Sequence, residues 1–143
     1  MVDSKKVTNT MWICLNDGFL SVVTDRTDPS RLLVRSRRQE DLVNAVGPDA
    51  KIENTPDNDY HWRTYIPREE FKRLMMDRID GIDYPNFKDS VKDDELHDLY
   101  VGFWADHNSY QALAETNKKR ADRAKHFAWG DGDFRIVPAP DKG

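Results

Sequence analysis

The sequence has a single cysteine, Cys14, and no apolar run of the length that a membrane span requires. One cysteine excludes an internal disulfide and is typical of a protein kept in a reducing compartment. Residues 1–10 are polar and lack the hydrophobic core of a secretory signal. Together these absences predict a cytoplasmic protein that does not enter a membrane.

The motifs of common cofactor and metal sites are also missing. There is no phosphate-binding Walker loop, no dinucleotide fingerprint and no Gly-x-Ser-x-Gly around Ser21. The four histidines, His61, His97, His107 and His126, do not have the spacing of a zinc site. We therefore expect no cofactor and no metal. The catalytic residues are unknown, and a protein without catalysis is the favoured interpretation.

An excess of positive charge is absent as well, since the formal net charge is -4. That makes nucleic acid an unlikely partner for the protein as a whole. What the chain does contain is aromatic surface, with 4 Trp, 5 Tyr and 6 Phe, which is enough to build a core in a domain of 143 residues. The excess of aromatics also suits a contact surface for another protein.

Alternation of apolar and polar residues predicts strands at 11–15, 19–24, 31–37, 50–54 and 60–66. The turn at Asn16-Asp17-Gly18 joins the first two, because these residue types tolerate positive φ. Cys14, within an apolar run, is expected to be a small buried residue. A short strand at 134–137 is a further prediction.

Helical periodicity and helix ends predict the remaining elements. One helix begins at Ser36 or Arg37 and ends at Gly47, and a second has Pro67 as its first residue and Gly81 as its end. A third begins at 93–95, and residues 110–126 either continue it or form a partly ordered arm. We predict an α+β fold: a mainly antiparallel four- to five-stranded sheet, two to three helices on one face and a C-terminal helical arm.

The order of the elements leaves room for a crossover after Arg37, which would place one parallel pair in the sheet. The predicted organisation is a flexible tail at 1–10, a single domain at 11–111, and a helical arm with a loose tail at 112–143.

Four separated motifs carry a resemblance to a known family. They are Met11-Trp12 followed by Gly18-Phe19-Leu20-Ser21-Val22-Val23; Val34-Arg35-Ser36-Arg37 with Asp41-Leu42; Thr55-Pro56, Asp59-Tyr60 and Trp62-Arg63; and Asp83-Tyr84 with Asn86-Phe87-Lys88. In this combination the chain resembles a family of small uncharacterised bacterial and phage proteins. The family has no assigned activity, so the resemblance implies only an origin, with the host cytoplasm as the location of a phage-encoded chain.

Two clusters are candidates for a ligand site. The first is an arginine group, Arg31, Arg35, Arg37 and Arg38, in which Arg35 and Arg37 share a strand face that Arg63 could join from a neighbouring strand. Guanidinium groups hold phosphate in a bidentate manner. Asp83, Asn86 and Lys88 form the second cluster, between two helices, beside the strand groups His61 and Arg63. The alternative for the arginines is a solvated sheet face. For the second cluster it is a junction, in which Asn86 caps the next helix and Tyr84 and Phe87 fill the core.

A third candidate is the basic stretch within 115–126, where five basic side chains face two acidic ones. Lys118, Lys119, Arg120 and Arg123 would contact a nucleic-acid backbone. An exposed charged helix is the alternative. The start of the preceding helix is acidic, so the two segments could also pair with each other or with another subunit, which leaves a homodimer open.

Three functions follow, in order of preference. The first is a small binding or regulatory protein without catalysis that acts through a protein partner, such as a phage-encoded inhibitor of a host protein. The second is an enzyme or sensor that binds a nucleotide or other phosphorylated small molecule at the Arg/Lys site. The third is nucleic-acid binding through the basic arm.

Overall fold

The computed structural model describes residues 10–131, with side chains up to residue 126. The elements are β1 Met11–Leu15, β2 Gly18–Thr24, β3 Arg31–Ser36, α1 Gln39–Val46, β4 Glu53–Asn54, β5 Trp62–Pro67, α2 Arg68–Asp80, α3 Phe87–Ser90 and α4 Asp94–Asp131. The predictions for residues 1–9 and for everything after 131, including the strand at 134–137, lie outside these residues.

The five strands form one open sheet in the order β1-β2-β3-β5-β4, and every neighbouring pair is antiparallel. The predicted α+β class with a mainly antiparallel sheet is confirmed. The parallel pair for which the order of the elements left room after Arg37 does not occur among the described strands. The chain leaves β3 through α1, forms the short β4, and turns back so that β5 runs antiparallel to β3.

The core lies on one face of the sheet, where α1 and α2 pack. Leu20, Val22, Val34 and Ile66 point to this face, and Leu42 of α1 and Phe71 of α2 meet them. Burying such side chains supplies most of the stability of a domain, at roughly 1.5–3 kcal/mol each. Because side chains alternate along a strand, Leu33, Arg35 and Arg63 lie on the opposite face.

The turn between β1 and β2 has a different basis from the predicted one. No residue of the turn has a positive φ among the described residues, where only Gly47 does. Gly18 is instead needed for a close approach, because a Cβ there would lie 2.9 Å from the Cα and carbonyl oxygen of Asp41. The hairpin therefore requires glycine so that α1 can pack directly over it.

Several element boundaries differ from the predicted ones. α1 begins at Gln39, since Ser36 still pairs in β3. Pro67 is the last residue of β5 and precedes α2, while β4 is limited to two residues. Cys14 is exposed rather than buried, because its side chain lies on the face opposite the core in an edge strand.

The junction after α2 leads through the short helix α3 to the first turns of α4. Asn86 caps α3 by accepting a hydrogen bond from the Asp89 N–H at 3.3 Å. The ring of Phe87 contacts those of Tyr84 and Tyr100, at centroid distances of 5.9 and 5.2 Å. This part of the chain is therefore a packed connection.

By its internal contacts the chain divides into a first unit that ends at Tyr100 and a second that begins at Val101. In the described residues the second unit is the continuation of α4, so residues 110–126 are helical. No described helix is long and apolar enough to span a membrane.

Candidate functional site: the arginine face

Arginines from two neighbouring strands meet on the sheet face that lies opposite the core. Arg35 of β3 stands directly across from Arg63 of β5 and, on its other side, across from Ser21 of β2. Side chains opposite each other in an antiparallel pair have Cβ atoms roughly 4.5–5.5 Å apart. We call Ser21, Arg35, Arg37, Tyr60 and Arg63 the arginine face.

Arg35 is held in the middle of this face. Its Nη2 donates a hydrogen bond to the Ser21 hydroxyl at 2.8 Å, and its guanidinium lies 4.8 Å from the centre of the Tyr60 ring. Its Nε is buried and has no hydrogen-bond partner. Burial lowers the pKa of Arg35, and the neighbouring charge of Arg63 lowers it further. The side chain is therefore fixed in position with its charge only partly compensated.

Tyr60 is the platform on which two of the arginines rest. Its side chain is buried, and Arg37 also lies over the ring, at 4.3 Å from the centre. Arg37 donates hydrogen bonds to the carbonyl oxygen and to Oδ1 of Asp59, each at 3.0 Å. Cation–π contacts of this kind hold guanidinium groups in a defined plane. Arg37 is therefore already paired with a carboxylate.

Arg63 completes the row. Its Nε donates to the Thr55 hydroxyl at 3.2 Å, and Glu53 of β4 stands across from it on the other side. Within the described part of the chain, neither Arg35 nor Arg63 has a carboxylate within ion-pair distance. Two like charges directly opposite each other in a sheet repel, so this pair is a place where an added anion gains energy.

The other predicted ligand residues are distributed differently. His61 is exposed beside Tyr60, and the hydrogen bond and charge of Arg37 lower the pKa of the neighbouring Asp59. Asp83 is exposed and Asn86 caps α3, and no described hydrogen bond or ion pair connects either of them to the arginine face. Lys88 lies half-buried on α3.

The position of the junction explains this separation. Gly81, Ile82 and Tyr84 lie beside Ile13 and Leu15 of β1, along a groove of about 420 Å³. The arginine face is centred on β3 and β5, and β2 lies between β1 and β3. Adjacent strands are about 4.8 Å apart, so the two predicted clusters sit over different parts of the sheet.

The basic residues proposed for nucleic acid are on the second unit. Lys118, Lys119, Arg120 and Arg123 are all exposed on α4. Successive helical residues are separated by about 100°, so Lys119, Arg120 and Arg123 lie within an arc of about 100° on one side of the helix, and Lys118 points about 100° away from Lys119.

Sequence reasoning missed the groups that hold the arginines. Tyr60 lies just before β5 and belongs to the predicted alternating strand. Tyr60, Ser21 and Thr55 also belong to the motifs that carry the family resemblance, but none of these patterns indicated a contact with an arginine. It also missed a second cluster around Arg38, which contacts buried Asp41 and the exposed Asp93 and Glu95. The short spacing of Arg38 and Asp41 on α1 was the one signal that could have revealed it.

Chemically, the arginine face places the guanidinium donors of Arg35 and Arg63 on directly opposite positions of two paired strands. Guanidinium groups bind phosphoryl and carboxylate oxygens with charge-assisted hydrogen bonds, about twice as strong as neutral ones. Among the described residues, no group of three or more potential metal ligands is present.

Comparison with models of protein families, with curated proteins and with solved structures finds no match to this chain in any of the three. The resemblance to small bacterial and phage proteins therefore stays a prediction, and the arginine face has to be interpreted from its own geometry.

Proposed function

We propose that the protein is a binding protein whose arginine face holds an anionic group of its ligand, a phosphoryl or a carboxylate. The observation that carries this is the direct opposition of Arg35 and Arg63 without a carboxylate in between. Natural sheets avoid such a pair because it costs stability. A ligand anion between the two groups would remove the repulsion and form bidentate hydrogen bonds.

Thermal unfolding in inorganic phosphate and in inorganic pyrophosphate tests the proposal. A ligand that binds only the folded state raises the melting temperature as its concentration rises. We expect this for the parent protein, measured against sodium chloride of equal ionic strength. Phosphate also stabilises proteins without binding, because it is excluded from their surface, so variants must supply the control.

The diagnostic variant is Arg63→Gln, and Arg26→Gln is its control, since Arg26 is exposed in a loop and has no described ion pair. Arg63→Gln should lose the response to pyrophosphate. Without ligand it should be as stable as the parent or more stable by about 0.2–1 kcal/mol, since a like-charge pair is removed. Equal responses in the parent and in both variants would contradict the proposal.

A second candidate is the binding of a protein partner along β1. This strand is at the edge of the sheet and pairs, within the described residues, only with β2. Its side chains Met11 and Trp12 are 53% and 68% exposed. An unpaired edge offers backbone donors and acceptors to an extended segment, which would add a strand to the sheet.

The groove beside β1 indicates the chemistry of such a segment. Ile79 and Ile82, 65% and 55% exposed, form its outer wall. The same stretch carries Asp77, Asp80 and Asp83, which are exposed and have no described ion pair. An extended segment that alternates apolar and basic residues therefore fits best. If the chain is phage-encoded, this segment belongs to a host protein that it inhibits.

Selection of random ten-residue peptides displayed on phage, with the full protein as bait, tests this candidate. We expect peptides that alternate apolar residues with Lys or Arg, and that do not bind an Ile79→Asp, Ile82→Asp variant. Met76→Asp, at a residue of α2 that is 61% exposed but lies outside this groove, should bind them normally. Peptides that bind all three proteins equally, or no enrichment at all, would exclude the β1 edge.

A further inference from the structure

The part of α4 that belongs to the second unit is exposed along its length. From residue 104 to residue 126, only Asn117 and Ala124 are partly covered, and every other described side chain is exposed. Most of the stability of a protein helix comes from packing one of its faces. This segment has apolar residues that could form such a face, and they are exposed in the described part of the chain.

The apolar residues fall along one side of the helix. Tyr110, Leu113, Ala114, Asn117 and Ala121 follow one another at intervals of one, three or four residues and form what we call the α4 stripe. Tyr110 and Leu113 are 72% and 45% exposed. Asn117 follows Tyr110 by seven residues, the spacing typical of helices that wind around each other. A single asparagine in such a seam is a known determinant of register.

The charges of α4 are separated along its axis. Its acids are concentrated at the beginning, in Asp94, Glu95, Asp98 and Asp106. Its bases are concentrated near the end, in Lys118, Lys119, Arg120, Arg123 and Lys125. Two parallel copies of this helix would bring their basic ends together and repel. Two antiparallel copies direct the basic end of each towards the acidic end of the other, and within residues 101–126 Asp106 is the acid of this group that meets it.

We propose that α4 associates with α4 of a second copy of this chain, antiparallel, through the α4 stripe. Complete overlap of residues 101–126 places the twofold axis between Leu113 and Ala114. This register brings Asp106 next to Arg120 of the partner subunit, and the same contact recurs on the other side of the axis. The inference is independent of the arginine face, whose residues lie in the first unit.

Sedimentation equilibrium of the full chain tests the association. The parent should be a dimer. Ala114→Asp, which places a charge in the stripe, should weaken the dimer at least tenfold. Ala112→Asp is the matched control, because it makes the same change two residues away, at an equally exposed alanine on the opposite side of the helix. Circular dichroism confirms that both variants keep their helical content.

A charge exchange tests the antiparallel register. Asp106→Arg and Arg120→Asp should each weaken self-association, since each creates two like-charge contacts. An equimolar mixture of the two variants should associate again, because both contacts between the unlike chains are then attractive. The single variants exclude parallel helices, in which each residue would lie beside its own copy: a substitution at 106 or 120 would then replace one like-charge pair with another and leave self-association unchanged.

Three results would overturn the proposal. They are a monomeric parent, a dimer that Ala114→Asp leaves intact, and a mixture of the charge variants that does not associate. A monomeric parent that binds duplex DNA with an affinity falling steeply in salt would instead assign the basic end of α4 to nucleic acid.

Discussion

Arg35 and Arg38 are three residues apart in the same basic run, yet they have opposite surroundings. Arg38 contacts three carboxylates, those of Asp41, Asp93 and Glu95. Arg35 contacts none among the described residues and faces another arginine instead. The sequence shows both as members of one arginine group. Their difference arises from the end of β3 between them, where alternation along the strand stops and the chain turns into α1.

Tyr100 connects α4 to the β1–β2 turn through the hydrogen bonds of its hydroxyl group. Its hydroxyl lies 2.8 Å from the carbonyl oxygen of Leu15 and 2.9 Å from that of Gly18, at the two ends of the β1–β2 turn. Burial raises the pKa of Tyr100, so the phenol is neutral and acts as the donor. Tyr100 belongs to the helical stripe Leu96, Leu99, Tyr100 and Phe103, which is typical of a buried helix face. This pattern could not predict the two partners, because they lie more than eighty residues away.

Replacing Tyr100 with phenylalanine should therefore lower the free energy of unfolding by about 1–3 kcal/mol, since buried carbonyl groups lose their donor while the ring stays in place. Urea denaturation followed by fluorescence measures this. Tyr65→Phe, at a tyrosine that is 38% exposed and whose hydroxyl has no described hydrogen bond, is the control and should change stability little. Equal effects of the two substitutions would show that the hydroxyl contacts are not formed.

At the scale of elements, the periodicity of the sequence predicted where most helices and strands lie, but it did not predict which strands pair with each other. The alternation in 60–66 and the helical stripe that begins at Phe71 predicted β5 and α2 to within two residues. The antiparallel β3–β5 pair could not be derived, because strand pairing depends on contacts between distant residues and leaves no periodic signal in either strand. The β3–β5 pairing brings Arg35 and Arg63 together, so the sequence alone could predict the arginines of this face but not their direct opposition.

Replacing Gly18 and Gly102 with alanine tests how the elements pack. Gly18→Ala should lower the free energy of unfolding by about 1–3 kcal/mol, because its Cβ would be pressed against the backbone of Asp41. Gly102→Ala is the contrasting change, since nothing lies within 4 Å of a Cβ built there in α4. Alanine in an exposed helix is favoured over glycine by roughly 1 kcal/mol. Urea denaturation of both variants should therefore give shifts of opposite sign.

For the whole molecule, acidic side chains determine how stability depends on pH. Burial alone would raise the pKa of Asp25, but hydrogen bonds from Thr27 and the guanidinium of Arg31 outweigh it and lower that pKa below its ordinary value of 3.8. A backbone hydrogen bond from Leu96 likewise lowers the pKa of Asp93, assisted by Arg38. Asp41 is the exception, because burial raises its pKa.

A carboxyl group whose pKa is lower in the folded state stabilises the fold above its ordinary pKa and loses that contribution as the pH falls. The free energy of unfolding should therefore decrease below about pH 4, where such groups take up protons. Asp25→Asn should be less stable at pH 7 and show a smaller decrease in acid. Urea denaturation between pH 7 and pH 2 measures both.

Asp57→Asn is the control for this series, since Asp57 is exposed and has no described ion pair. It should follow the parent at every pH. A parent protein whose stability stays constant down to pH 2 would show that the Asp25 and Asp93 contacts do not persist in solution. The contribution of Asp41 has the opposite sign, because a raised pKa favours the folded state on protonation.

The hydrogen bonds of Tyr100 also have a consequence for the order of events during synthesis. The β1–β2 hairpin leaves the ribosome before α4, and its turn obtains the phenol donor only after the 82 residues that follow Gly18 have been made. Until then the carbonyl groups of Leu15 and Gly18 lack the Tyr100 hydroxyl as a donor. Contacts of such long range slow folding. A nascent chain stopped before residue 100 should thus carry an open hairpin, accessible to proteases and chaperones, that closes when the start of α4 emerges.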